Sequence, residues 1–444
     1  MDLRDLIVTP LLIIVIYILG YVIRPYISDL SNYKYFFPAL TARIIGAIAV
    51  GIIYQFYYGG GDTFAYHTHG SRVIWEALID NPTDGLRLLF GNYTIEEPSL
   101  FKYSSQIWFF EDPHSYFIVR IATLFDVITF SSYSGTAVLF AVVSLSGSWA
   151  LFITFCKICP GGQKWIAVCC LFIPSVFFWG SGIFKDTITL AGVGWLTYCF
   201  YSIFFERRNM IACAIAGIVA AWIIFSIKKY ILISFLPALI IWFFAARFFR
   251  IQIVVAKILV LPIVMVITVI LIYYTVLKVG EEDSRYNVSS LAKTVKITAY
   301  DIRYGWGART GEGSGYTLGE LDGTWQSMVP LIPKAINVSL FRPYLWEVKN
   351  PLMLFSAVES IGLLVATVFV IIRIRHRFLY LFAKPEVLFC FVFSIVFAFA
   401  VGISTYNFGT LSRYKIPMMP FYTLGLTLLL YYYGNDTQRT EDSD

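Results

Sequence analysis

Asp62 stands behind three glycines in the stretch GGGDTFAYHTHG, Gly59 to Gly70, directly after the hydrophobic run RIIGAIAVGIIYQFYY. Glycine lets a backbone take positive φ and come close to a ligand. A carboxylate at the lip of an apolar run is partly stripped of water and is suited to take a proton from a reacting hydroxyl, so Asp62 is the candidate general base. The stretch continues as a short helix in which Asp62 and Tyr66 share a face at i, i+4, as do Thr63 and His67. His67 and His69 are two residues apart and do not converge on one face of a helix, so they read as interfacial polar residues rather than metal ligands. The plainer structural reading is a helix stop at Gly59–Gly61 with Asp62 as the N-cap of the next helix.

Cations make up the second set. PSVFFWGSGIFKDTITL carries Lys185 and Asp186, IIFSIKKYILI carries Lys228 and Lys229, LFRPYLWEVKNP carries Arg342, Glu347 and Lys349, and YNFGTLSRYKIPMMPF carries Arg413 and Lys415. Asp186 is expected to cap the next helix and to leave Lys185 facing outward at headgroup level. Each cation interrupts an apolar boundary, where charge is costly without a partner anion or a water-filled cavity. Singly, each can snorkel to the interface. As a set they suit a shared anion, and a lipid phosphate or diphosphate fits because Arg and Lys hold it by charge-assisted hydrogen bonds.

Membrane helices must position these groups. Of 444 residues, 58% are hydrophobic and 14% charged, against roughly 25% charged in soluble domains; the mean hydropathy is +0.71. The expected fold class is all-α, a polytopic helical membrane protein with about eleven spans, at 6–23, 40–57, 134–156, 164–183, 187–205, 210–227, 230–248, 254–276, 351–372, 387–404 and 416–433. Each run has about the 17–25 residues that cross the hydrocarbon as a helix. The first is expected to be retained as a span, because no small-residue cleavage site follows it. The run 115–130 holds Arg120 and Asp126 and reads as a re-entrant or interfacial helix.

Basic residues orient the spans. Arg24, Lys34, Arg43, Lys157, Lys164, Arg207, Arg208, Arg247, Arg250, Lys257, Arg373, Arg375, Arg377 and Lys384 gather on one set of short loops, which is then cytoplasmic. The N-terminus is expected outside and the polar C-terminal tail inside. The chain reads as a single integral membrane domain, 1–444, with a first outer loop at 58–133 and a second at 277–350. All seven cysteines fall in spans or at their cytoplasmic ends, so no disulfide framework is implied. Asn92, Asn287 and Asn337 stand in N-x-S/T sequons. The net charge of +6 favours anionic lipid headgroups, and no nucleic-acid module is present.

With its acid in the first outer loop close to the membrane, this layout resembles the GT-C superfamily of membrane glycosyltransferases. GGGD at 59–62 matches the position of that family's essential acid, and FFWGSGIFKD (177–186), LFRPYLWE (340–347) and NFGTLSRYKIPMMPF (407–421) resemble stretches of bacterial membrane proteins of that kind. The sequence departs from the pattern in having an extra span before the acid, no Asp-x-Asp pair in either outer loop, and no large soluble C-terminal domain expected. The resemblance implies transfer of a sugar from a polyprenyl-phosphate lipid donor to a glycan, lipid or protein acceptor on the non-cytoplasmic face of a bacterial inner (plasma) membrane. Asp62 would act as base, and Lys185, Arg342, Arg413 and Lys415 would stabilise the leaving phosphate. Tyr66, His67, Asp186, Lys228, Lys229 and Glu347 complete the candidate substrate-binding set. The pattern names no definite cofactor, and a divalent metal is left open. A single base implies inversion, with Asp112, Glu97 and Asp301 as the carboxylates that could supply a second. The alternatives are an O-antigen-type polysaccharide polymerase, which would use Arg285, Arg303, Arg309 and Arg342, a transporter, or a non-catalytic assembly subunit.

Overall fold

In hydrocarbon, backbone groups must find partners within the chain, and long apolar runs meet this demand as helices. A computed structural model of the protein describes residues 2–95, 97–248, 288–306, 314–375 and 384–441. Within them the fold is all-helical, and the described strand pairing is one isolated antiparallel bridge, Gly315 with Asn407.

In chain order the helices begin with α1 (Leu3–Ile27) and α2 (Tyr33–Phe56). Short helices come next: α3 (Asp62–Tyr66), a π turn over His67–Ser71, α4 (Arg72–Asp80), α5 (Pro82–Phe90), α6 (Phe101–Ser104) and α7 (Pro113–Thr129). Beyond them lie α8 (Tyr133–Ile158), α9 (Gln163–Leu171), α10 (Pro174–Trp179), α11 (Lys185–Tyr201), α12 (Met210–Ile227) and α13 (Lys229–Phe248). The described remainder holds α14 (Val288–Tyr300), α15 (Trp325–Met328), α16 (Ile332–Phe341), α17 (Pro351–Ile374), α18 (Pro385–Thr405), α19 (Phe408–Tyr414) and α20 (Met419–Glu441). Two compact units result, Met1–Lys157 with Cys170–Lys228, and Ile158–Cys169 with Lys229–Asp444.

Among the described residues, eight helices are long and apolar enough to cross a membrane: α1, α2, α8, α11, α12, α13, α17 and α18. They correspond to eight of the eleven expected runs. The run 254–276 lies outside the described residues. The run 416–433 is helical in α20, which continues into the polar tail through Asn435 and Asp436. The run 164–183 is not one helix. It breaks between α9 and α10, where Pro174 lacks an N–H and biases the residue before it away from helix. The run 115–130, expected as a re-entrant or interfacial helix, is helical in α7, with Asp126 buried.

Arg43 shows how the first unit tolerates the break. Its charge pattern places it among the loop anchors, but it lies inside α2 and is wholly buried. Its Nη1 donates to Ser144 Oγ (2.9 Å), Val176 O (3.0 Å) and Gly180 O (2.8 Å), and its Nη2 to Ser148 Oγ (2.8 Å). The two carbonyls belong to the C-terminal end of α10, where a cation also complements the helix dipole. In the buried non-helical segment 181–184, Ser181 Oγ donates to Phe177 O (2.5 Å) and Gly182 O accepts from Thr187 Oγ1 (2.7 Å). Small residues bring α8 and α11 together, since a Cβ on Gly147 or Gly194 would overlap the facing backbone.

The second unit packs through aromatic rings instead. Phe235 of α13 meets Phe389 and Phe393 of α18 at 5.7 and 4.8 Å between centroids, and Trp242 stacks on Phe389 at 4.6 Å. All seven cysteines are free thiols.

Candidate functional site

The three glycines earn their place through conformation. Gly59, Gly60 and Gly61 have φ of 66°, 134° and 127°, a region that side chains rarely adopt. Gly60 N donates to Tyr54 O (2.8 Å), which folds the end of α2 back. Gly61 is the N-cap of α3, and its carbonyl accepts from Phe64 N and Ala65 N. Asp62 is therefore not the cap but the first helical residue, half-buried at the turn.

The π turn separates the two histidines. Its non-helical residue is His69 (φ −103°, ψ 27°), whose ring stacks on Trp108 at 4.1 Å. His67 points the other way and is wholly buried, its Nε2 3.4 Å from Asp126 Oδ1, which also accepts from Thr136 Oγ1 (2.5 Å). Tyr66 is buried too, with its ring 4.9 Å from Phe109. Tyr66 and His67, both in the candidate substrate-binding set, are thus buried side chains packed on Phe109 and Asp126.

A charged network continues from Asp62. Lys185 opens α11 and pairs with Asp112 Oδ2 at 3.3 Å. It also lies within electrostatic reach of Asp62 and of Lys228. Asp186, next in α11, does not cap that helix as expected. It is buried and forms an ion pair with the buried Lys228. The N-cap of α11 is Phe184, with no side-chain bond. Asp112 is a member that sequence reasoning left among spare carboxylates. It caps α7, accepting from His114 N (3.3 Å) and from Ser115 Oγ (2.5 Å). Burial alone would push its carboxyl up, but the Lys185 charge and the Ser115 hydroxyl together hold it below the usual range. The Asp-Pro pair at 112–113 announces this cap. The pairing with Lys185, 73 residues on, has no local signal.

The remaining candidates lie in the second unit, which is described by itself. Lys229 opens α13 and is buried. Arg342 holds Glu347 bidentately, its Nε 3.1 and 3.0 Å from the two carboxylate oxygens, with Nη2 also donating to Oε1. Burial would raise the Glu347 carboxyl, but Arg342 and the Tyr344 N–H hold it below the usual range. Arg342 is therefore already neutralised, and its guanidinium lies 5.3 Å from the Phe408 ring. Arg303, a candidate on the polymerase reading, donates to Tyr316 O (3.2 Å). Arg285 and Arg309 lie outside the described residues. Arg413 stands in the last turn of α19 beside Tyr414. Lys415 is 1% exposed, and its Nζ makes no hydrogen bond within the described residues. Burial holds its amine below the usual lysine range, with Glu359 opposing.

A cavity of about 320 Å³ opens in the first unit beside the glycine turn. The backbone of Gly59 and Gly60 forms one wall, and Phe64 and Tyr133, stacked at 4.4 Å, form another. Among the described residues, no cluster of three His, Cys, Asp or Glu side chains is placed to hold a metal ion. Comparison with protein-family models, curated proteins and solved structures finds no match for this chain.

Proposed function

We propose that this integral membrane protein is a glycosyltransferase of the GT-C kind, moving a sugar from a polyprenyl-phosphate donor to a glycan, lipid or protein acceptor, with Asp62 as general base. The observation that carries the reading is one arrangement in the first unit. Asp62 sits half-buried on a glycine turn that closes a long apolar helix, within electrostatic reach of Lys185. Asp62 takes the proton of the acceptor hydroxyl as that oxygen attacks the anomeric carbon. The bond to the donor phosphate breaks, and Lys185 offsets the charge that develops on the departing oxygen. Asp112, paired with Lys185 at 3.3 Å, positions its ammonium. Arg413 and Lys415 of the second unit are further phosphate-binding candidates by their charge. Inversion at the anomeric carbon is the expected outcome of a single base; Asp112 and Glu97 are engaged by Lys185 and Arg87, and Asp301 belongs to the second unit.

On this reading the chain has about eleven spans, outer loops at 58–133 and 277–350, an outer N-terminus and a cytoplasmic C-terminus in a bacterial inner membrane. Membranes carrying the protein, given a panel of labelled polyprenyl-phosphate sugars, should transfer label from at least one donor, and the Asp62→Asn protein should not. A carrier is the second reading. It draws on the break at Pro174 and the buried segment 181–184, since interrupted helices ending at charged groups also build transport sites. Uptake of labelled solute into sealed vesicles without any covalent transfer would favour it.

A further inference from the structure

The cavity beside the glycine turn is chemically unlike the charged network around Lys185. Its ionised lining consists of two carboxylates, Asp2 and Asp5, against one guanidinium, Arg72. Asp5 is buried and already accepts from Ser132 Oγ (2.7 Å) and Ser134 N (3.0 Å). Arg72 donates from Nη2 to Asp2 (2.9 Å) and to Ser131 O (3.3 Å) and from Nε to Ser131 Oγ (3.3 Å), and its Nη1 makes no hydrogen bond among the described residues. A phosphate would meet an excess of negative charge here. The rest of the lining is Gln55, the stacked pair Phe64 and Tyr133, Thr68, His69 and the backbone of Gly59 and Gly60. An apolar ring face beside hydroxyl, amide and guanidinium groups matches the two sides of a sugar ring, one of C–H bonds and one of hydroxyls. The volume, about 320 Å³, lies near the lower end of the roughly 300–1,000 Å³ typical of small-molecule sites.

We infer that this cavity is a binding subsite for one uncharged, hexose-sized sugar unit, separate from the cations that would meet the phosphate. The inference deepens the glycosyl-transfer reading and rests on it for the role of the bound sugar, although the binding is measurable without any transfer. The π turn is what opens the subsite. By breaking helical geometry at His69 it buries His67 and turns His69 and Thr68 to the cavity.

The test is saturation-transfer NMR on the purified full-length protein in detergent, with neutral methyl hexosides and the corresponding hexose 6-phosphates as probes. At least one neutral hexoside should give saturation transfer, and the phosphates should give less. Thr68→Trp should abolish the signal by filling the cavity. Phe64→Ala should weaken binding about two- to tenfold through the lost ring contact, and Thr68→Ser, which keeps the hydroxyl and the space, should retain it. Asp62→Asn should bind the sugar as wild type does. Loss of transfer in Asp62→Asn together with absence of hexoside binding would overturn the subsite and leave the catalytic reading. Hexoside binding lost in Thr68→Trp while Asp62→Asn still transfers would overturn the catalytic reading and leave the subsite. Binding unchanged in both Thr68→Trp and Phe64→Ala, or stronger for the phosphates, would overturn the subsite.

Discussion

Breaking the Lys228–Asp186 pair should cost far more than removing it. Both side chains are almost closed to solvent, at 8% and 3% exposure. Asp186→Asn leaves an ammonium facing a neutral amide, and Lys228→Met leaves a carboxylate facing a thioether. Each removes one partner of a buried ion pair, at a cost of about 3–5 kcal/mol. In the double variant neither charge remains. Neutral replacements of buried pairs range from stabilising to mildly costly, so the double variant should lose no more than about 3 kcal/mol. The coupling between the sites should then be at least ~3 kcal/mol, well above the ~0.5 kcal/mol scatter of independent sites. The assay is equilibrium unfolding in mixed SDS micelles followed by tryptophan fluorescence, on all four proteins. If the single costs simply add in the double variant, the two side chains do not form the buried pair, and the account of how α11 presents Lys185 fails with it.

The same geometry sets other outcomes. Lys415→Met should raise unfolding free energy by roughly 1–3 kcal/mol, because it removes a buried ammonium that lacks a hydrogen bond; transfer activity should fall if that amine meets phosphate, and a loss of stability would contradict this description of Lys415. Asp112 is held below the usual carboxylate range when folded, so its contribution is fully present above the ordinary aspartate pKa of about 3.9 and is lost as pH falls through the folded value. An acid titration of stability should therefore be shallower for Asp112→Asn than for wild type, and coinciding curves would remove the Lys185 pairing. For topology, a single cysteine at Ser327 should react with an impermeant thiol reagent in intact cells and one at Lys384 should not, whereas the opposite pattern would invert the orientation and the choice of donor.

Much of the scaffold is legible in the sequence because crossing a membrane makes length and apolarity nearly sufficient evidence. The runs that form α1, α2, α8, α11, α12, α13, α17 and α18 need no tertiary information. The break at Pro174 is different. Its proline is visible, but an apolar run of that length outweighs it, and the partner that makes the break tolerable, Arg43, is 133 residues away from Val176. Arg43 counts as an anchor by sequence because a charge near a span end usually is one. At the site, the glycine turn and Asp62 can be read locally, since φ preference is a property of glycine itself. The network behind them cannot. Lys185 with Asp112 and Asp186 with Lys228 are long-range pairings, and the π turn that sends His67 and His69 to different surroundings has no signal in residue type.

The catalytic role rests on Asp62. The decisive measurement is the rate of sugar transfer from polyprenyl-phosphate donors by Asp62→Asn protein in membranes, at saturating donor. Asparagine keeps the size and one acceptor oxygen but cannot take a proton. Gly61, not Asp62, caps α3, so the helix start survives the substitution. General-base assistance is typically worth ~10²–10⁴-fold, and a loss of that size with unchanged membrane insertion and thermal unfolding is the predicted result. Asp62→Asn protein that transfers sugar at close to the wild-type rate would contradict the assignment of Asp62 as the base.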